Sequence, residues 1–204
     1  MRRVLAIAMV LVFTSAVQAD MVISEWMYSG GDGEFIEFTN TGPNAVDMTG
    51  WSYDDDSQVA GTVDLSAYGV VEPGASVILT EVVAADFMIA WGLSGVAVIG
   101  ENSANIGRGD TINLFDAGGN LVDQLAYGDQ VYPGTVRTQY VSCNIPASDY
   151  GYTVVQESWV LAYVGDEYGS WMSFGGDIGS PGIIPEPAAL ALLLTGGLLA
   201  IRRR

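Results

Sequence analysis

The sequence predicts an all-β fold, an antiparallel β-sandwich, from three observations. From Met21 to about Tyr127, short runs of β-branched and aromatic residues alternate with Gly, Asp, Asn and Pro clusters at the spacing of sandwich strands. The connections Gly30-Gly31-Asp32-Gly33, Asn40-Thr41-Gly42-Pro43 and Asp116-Ala117-Gly118-Gly119-Asn120 supply residues that accept positive φ in tight turns. No long helical patterns alternate with the strands, which argues against a doubly wound α/β enzyme fold. The strands expected in order are Val22 to Met27, Glu34 to Phe38, Ala45 to Tyr53, Gly61 to Leu65, Ser76 to Thr80, Val96 to Ile99, Thr111 to Phe115 and Leu121 to Ala126. One short helix is expected near Ala84 to Trp91, where Ala84, Phe87, Met88 and Trp91 share a face.

Composition narrows the chemistry. The 204 residues hold 24 acidic and 7 basic side chains, no lysine and no histidine. Between Asp20 and Ile184 only Arg108 and Arg137 oppose 23 carboxylates, a formal charge of −21. Such a surface repels nucleic acid and anionic lipid, whose binding rests on Lys and Arg. Without histidine there is no ordinary neutral-pH base, no Ser-His or Cys-His pair and no His-containing metal site. The single cysteine, Cys143, reads as a small buried apolar residue, with intermolecular pairing the alternative.

Both termini read as addresses. Met-Arg-Arg, the apolar run Val4 to Phe13 and the small-residue ending Val17-Gln18-Ala19 have the form of a secretory signal peptide, residues 1–19, cut after Ala19 by signal peptidase. The alternative, a membrane anchor, suits the short apolar run less well. At the other end, Ile184-Pro185-Glu186-Pro187 precedes the apolar segment Ala188 to Ile201 and the arginines 202 to 204. This order resembles the PEP-CTERM sorting signal of bacterial envelope proteins. The resemblance implies export, temporary anchoring in the inner membrane by residues 183–204, and cleavage near Pro185, Glu186 and Pro187 by an exosortase. A tail anchor that is never cleaved is the alternative. Fourteen helical residues span about 21 Å, short of a hydrocarbon core of about 30 Å, so flanking isoleucines and snorkelling arginines must help. The arginines are expected to stay cytoplasmic and the acidic body outside.

Within the body, Val-Ile-Ser-Glu-Trp-Met-Tyr (22–28), Gly-Glu-Phe-Ile-Glu-Phe-Thr-Asn (33–40), Val-Asp-Met-Thr-Gly-Trp (46–51), Glu-Pro-Gly (72–74) and Gly-Asp-Thr-Ile-Asn-Leu-Phe-Asp-Ala-Gly-Gly (109–119) stand in the order of the lamin-tail domain, which they resemble. The later Gly-Ser-Pro-Gly (179–182) is similar to the ending these domains show in bacteria. The resemblance covers residues 21–130 most closely and residues 20–182 as a whole. It implies an immunoglobulin-like β-sandwich, flanked here by a signal helix and a C-terminal hydrophobic helix, and it carries over no catalytic residue.

Few residues suggest a site. Period-two alternation puts Glu34 and Glu37 on opposite faces of one strand, so they cannot act as an acid–base pair, and one of them is expected to accept loop amides while the other is solvated. Asp54, Asp55 and Asp56 form an acidic turn that suits either solvation or one calcium ion, although the alternating twelve-residue calcium loop is absent. The glycine loop before Thr111 lacks the Lys and the following helix of a phosphate cradle. Tyr127 to Trp171 is rich in aromatics, which suit either core packing, with Trp159 and Tyr163 filling the sandwich, or stacking on the sugar rings of an exopolysaccharide. The leading expectation is an exported, noncatalytic envelope or matrix module with polymer or another surface protein as partner. The alternative is a secreted metal-dependent hydrolase, or an accessory module of one.

Overall fold

The computed structural model describes residues 21–128, 137–150 and 159–183. The expected signal helix with Ala19, and the C-terminal helix with Pro185, Glu186 and Pro187, lie outside the described residues. In chain order the elements are β1 (Met21–Met27), β2 (Phe35–Asn40), β3 (Val46–Asp47), β4 (Ser52–Asp54), β5 (Val63–Asp64), β6 (Val70–Val71) and β7 (Ser76–Thr80). These are followed by α1 (Ala84–Trp91), β8 (Ala97–Ile99), β9 (Asp110–Phe115), β10 (Leu121–Tyr127), β11 (Cys143–Asn144), β12 (Val160–Leu161), β13 (Trp171–Met172) and β14 (Ile178–Gly179).

The larger sheet runs β12-β11-β1-β2-β7-β8 and the smaller β10-β9-β4-β5, with β3-β6 and β13-β14 as two-stranded additions. Between the two main sheets lies one core, to which Trp26, Ile36 and Phe38 come from the larger and Tyr53, Ile112, Leu114 and Leu125 from the smaller. Trp26 stacks on Tyr127 at 4.1 Å between ring centroids and meets Trp159 edge-on at 6.3 Å. The outer face of the larger sheet is covered by α1, where Met27, Phe35 and Ile78 pack against Phe87 and Trp91. The helix spans the expected residues and ends on Gly92, whose φ of 64° permits the left-handed cap that returns its amide to Ile89.

Two expectations change, and the stretch after residue 130 gains its place. Ala45 to Tyr53 is two strands, because Asp47 turns back to accept the Thr49 amide at 3.0 Å and Gly50 takes a φ of 80°. The sandwich is not wholly antiparallel, since β8 returns through α1 and pairs parallel with β7. Residues after 130 extend the main sheet, with β11 pairing to β1 and β12 to β11.

Two bulges set which side chains meet. In β1 the register slips between Ile23 and Glu25, so Ile23 faces the core opposite Phe38 while Glu25 stands opposite Glu37 on the outer face. The amide of Ile23, beside this bulge, donates across the sandwich to Asp123 Oδ2 at 2.8 Å, and Asp123 itself follows a second bulge in β10.

Candidate functional site

The bulge in β1 brings together two carboxylates that period-two reading leaves unpaired. Glu25 and Glu37 are cross-strand neighbours, each about 1% exposed. They lie under the strap Gly179 to Gly182. Glu25 accepts the Ser180 amide at 2.7 Å and hydroxyl at 3.1 Å, together with the Ser142 hydroxyl. Glu37 accepts the Gly182 amide at 2.5 Å and the hydroxyls of Ser76 and Ser24 at 2.8 and 3.1 Å. Gly179 is required by close approach, since a Cβ there would sit 2.9 Å from Glu25 Oε1 and 3.2 Å from Trp91. The strap thus seals the pair, and the two carboxyls tie the C-terminal end of the domain to its first two strands.

Burial pushes both carboxyls well above the usual carboxylate range, and the charge of Glu37 adds to the rise at Glu25. The hydrogen bonds pull the other way without cancelling it. A buried carboxyl with a raised pKa is a recurrent feature of acid–base sites, but one closed to substrate acts as a hydrogen-bonding seal. Serine hydroxyls suit that role because they rotate to serve either protonation state.

Glu34 and Asp123 are also buried, and desolvation pushes them up to about 8 and about 7 respectively. Glu34 accepts the Ile106 amide at 2.9 Å, holding the glycine loop before β9 against the end of the sandwich. One of the two expected strand glutamates therefore does receive a loop amide. The other, Glu37, is buried and not solvated, because the strap covers the outer face on which it stands.

The Asp54 to Asp56 turn is organised around its own backbone. Burial raises Asp54, but donation from the Ser57 hydroxyl and the Val59 amide, each at 2.6 Å, outweighs it and holds the carboxyl below its ordinary value. Asp54 is fully buried, Asp55 partly exposed and Asp56 exposed, so the three do not converge, and among the described residues no group of three carboxylates is placed to hold a metal ion. A further pair of aspartates braces the two ends of the domain. Asp177 accepts the amides of Gly31 and Asp32 at 2.9 and 2.8 Å, and Asp32 accepts the Gly175 amide at 2.7 Å and the Ser173 hydroxyl.

The aromatic supply divides between core and surface. Tyr127, Tyr150, Trp159 and Tyr168 are buried, so Trp159 packs the sandwich as expected. Tyr163 does not, being 66% exposed. Cys143 is buried, and burial pushes its thiol up and away from reactivity. Trp91 and Trp171 meet edge-on at 5.7 Å beside an open groove of about 500 Å³, lined also by Leu93, Val96, Pro181 and Ile183. No signal in the sequence singled out this groove, because it joins α1 to residues eighty positions later. Glu25 did leave a trace: it is the one charged residue in the largely apolar run Val-Ile-Ser-Glu-Trp-Met.

No curated protein matches the sequence. The family model of the Lamin Tail Domain, a noncatalytic immunoglobulin-like module, matches residues 14–129. That span is more than half of the chain, and with the sandwich just described it identifies the protein as a member of the lamin tail domain family.

Proposed function

We propose that the protein is an exported, noncatalytic component of the cell envelope or extracellular matrix. In this reading the lamin-tail sandwich is a binding or structural module that an exosortase sorts through the Pro185-Glu186-Pro187 tail after signal peptidase has cut at Ala19. The sealed Glu25–Glu37 pair carries the noncatalytic part of the reading. Its two strongly perturbed carboxyls are engaged by backbone amides and serines and closed to solvent. The routing rests on the two terminal segments of the sequence, and the partner on the remaining exposed surface, for which matrix polymer or another surface protein is the fitting class.

The test is a tail variant in a host that has an exosortase, with Pro185, Glu186 and Pro187 all replaced by alanine. The unaltered chain is expected to lose its tail and leave the inner membrane, while the variant stays there at precursor size. Equal processing of the two would overturn the sorting role.

A further inference from the structure

The described chain ends inside an apolar patch. Ile183, its last described residue, lines the Trp91–Trp171 groove and lies within 3.6 Å of the position a Cβ on Gly169 would take. Beside it the Phe174 amide donates to the Ala90 carbonyl at 2.9 Å, which sets Phe174 against the end of α1, where Ile89 is exposed. Phe174 is 84% exposed and Ile89 65%, large values for residues whose transfer out of water is favourable. Tyr163 and Val164 are exposed on the loop whose Gly165 amide donates to the Ser170 carbonyl, one residue before Trp171. Carboxylates nearby are committed internally: Asp166 to the amides of Tyr163, Tyr168 and Ser170, and Asp32 and Asp177 to each other's loops. Exposed Glu167 remains, as does exposed Asp86 one turn before Ile89 on α1, and the two arginines of the described chain, Arg108 and Arg137, lie in other segments.

We infer that this patch is a membrane-docking surface, seated on the neutral or zwitterionic interface of the bilayer that holds the tail. The inference rests on the reading of Ala188 to Ile201 as a membrane anchor. Only Ile184 to Pro187 separates Ile183 from that apolar segment, and four extended residues reach at most about 14 Å. An anchored chain therefore keeps the Ile183 end of the domain at the headgroups. The end so held is the one carrying Phe174, Ile89 and the tryptophan groove. The absence of lysine and the excess of carboxylates disfavour anionic headgroups, so apolar insertion and not charge must supply the contact. The short anchor strengthens the case, since a helix of about 21 Å gains from a second attachment.

The test uses the mature chain with its tail, reconstituted in phosphatidylcholine–phosphatidylethanolamine vesicles. An environment-sensitive fluorophore is placed on Phe174→Cys or, as a control on the β4–β5 loop of the smaller sheet, on Val59→Cys. The buried Cys143 does not compete for label. Vesicle flotation reports anchoring, and nitroxide-bearing lipids report contact of the label with the bilayer. The expected result is flotation of both, with a blue shift and loss of fluorescence at position 174 and neither at position 59. Flotation without quenching at position 174 would overturn the docking surface and leave the anchor standing. A blue shift that depends on protein concentration and not on lipid would overturn it in favour of a second copy. Failure to float would overturn the anchor and the docking surface together.

Discussion

The acids inside the sandwich and the acids on its turns are the same chemical groups put to opposite uses. Glu25, Glu37, Glu34 and Asp123 are buried, and desolvation raises them all. Asp47, Asp64 and Asp116 sit in water, and donation from Thr49, Ser66 and Asn120 respectively lowers them. Both sets receive hydrogen bonds from backbone and hydroxyl groups; between these two sets the removal of water sets the sign, while at buried Asp54 the hydrogen bonds outweigh it. A chain with 24 carboxylates can thus hold some as neutral internal links and others as charged turn caps. The two sets must respond to pH in opposite directions. A turn aspartate contributes stability above its unfolded pKa that is lost as pH falls through the lower folded value. A buried carboxyl binds its proton more tightly folded than unfolded, so its contribution is greatest below the unfolded value near 4.5 and declines as pH rises toward 7 or 8.

The largest effect separates shape from charge at the seal. Glu25→Ala removes the acceptor for Ser180 and Ser142 while leaving their donors buried, and should cost about 3 kcal/mol in a denaturant melt at pH 5. Glu25→Gln keeps the shape and an acceptor oxygen, so it should lie near the parent at pH 5 and above it at pH 8, where the parent bears the cost of a buried charge. Equal losses for Ala and Gln at both values of pH would show that the pair is ionised throughout. Next comes the lid itself. Gly179→Ala drives a methyl group onto Glu25 and Trp91 and should destabilise by about 2 kcal/mol, with α1 loosened as seen by amide exchange.

Much of the fold could be read before these contacts were known, and the seal could not. The helix was legible because Phe87 and Trp91 fall on one face of a single turn pattern, and β1, β2, β7, β9 and β10 because each is a run carrying β-branched or aromatic residues bounded by turn residues. The two-residue strands β3, β6 and β11 to β14 carry too few side chains to show a period. The Glu25–Glu37 pair needs a bulge, which inverts the face predicted by alternation, and a strap 155 positions away from Glu25 in the chain. Neither leaves a local signal. At Asp54 to Asp56 adjacency in sequence left solvation and one ion both open, because it does not say where each carboxylate points. The turn directs Asp54 inward to Ser57 and Val59 and Asp56 outward.

Smaller effects sharpen the surface half of the contrast. Asp116→Ala removes the acceptor for the Gly118 and Asn120 amides at the β9–β10 turn. Its loss of stability should be smaller than that of either seal variant, present at pH 7 and shrinking as pH falls below the ordinary aspartate range and on through the lowered folded value. The smallest effect is expected from cations. With Asp54 committed to its own turn, millimolar calcium and magnesium should shift the melting midpoint alike, through screening of the negative surface. A rise specific to calcium and abolished by Asp54→Asn would restore the metal site.

The most direct test of the sealed-carboxylate account is the stability of the mature chain between pH 5 and pH 8, by denaturant melts at fixed ionic strength. Stability should fall as pH rises across this window, because the folded state holds protons on Glu25, Glu37, Glu34 and Asp123 that the unfolded chain has already released. A net loss of about 2 kcal/mol corresponds to about 4–8 °C in melting midpoint. A midpoint that stays level or climbs from pH 5 to pH 8 would mean that the inner carboxyls are ionised in the folded state, and would contradict the account.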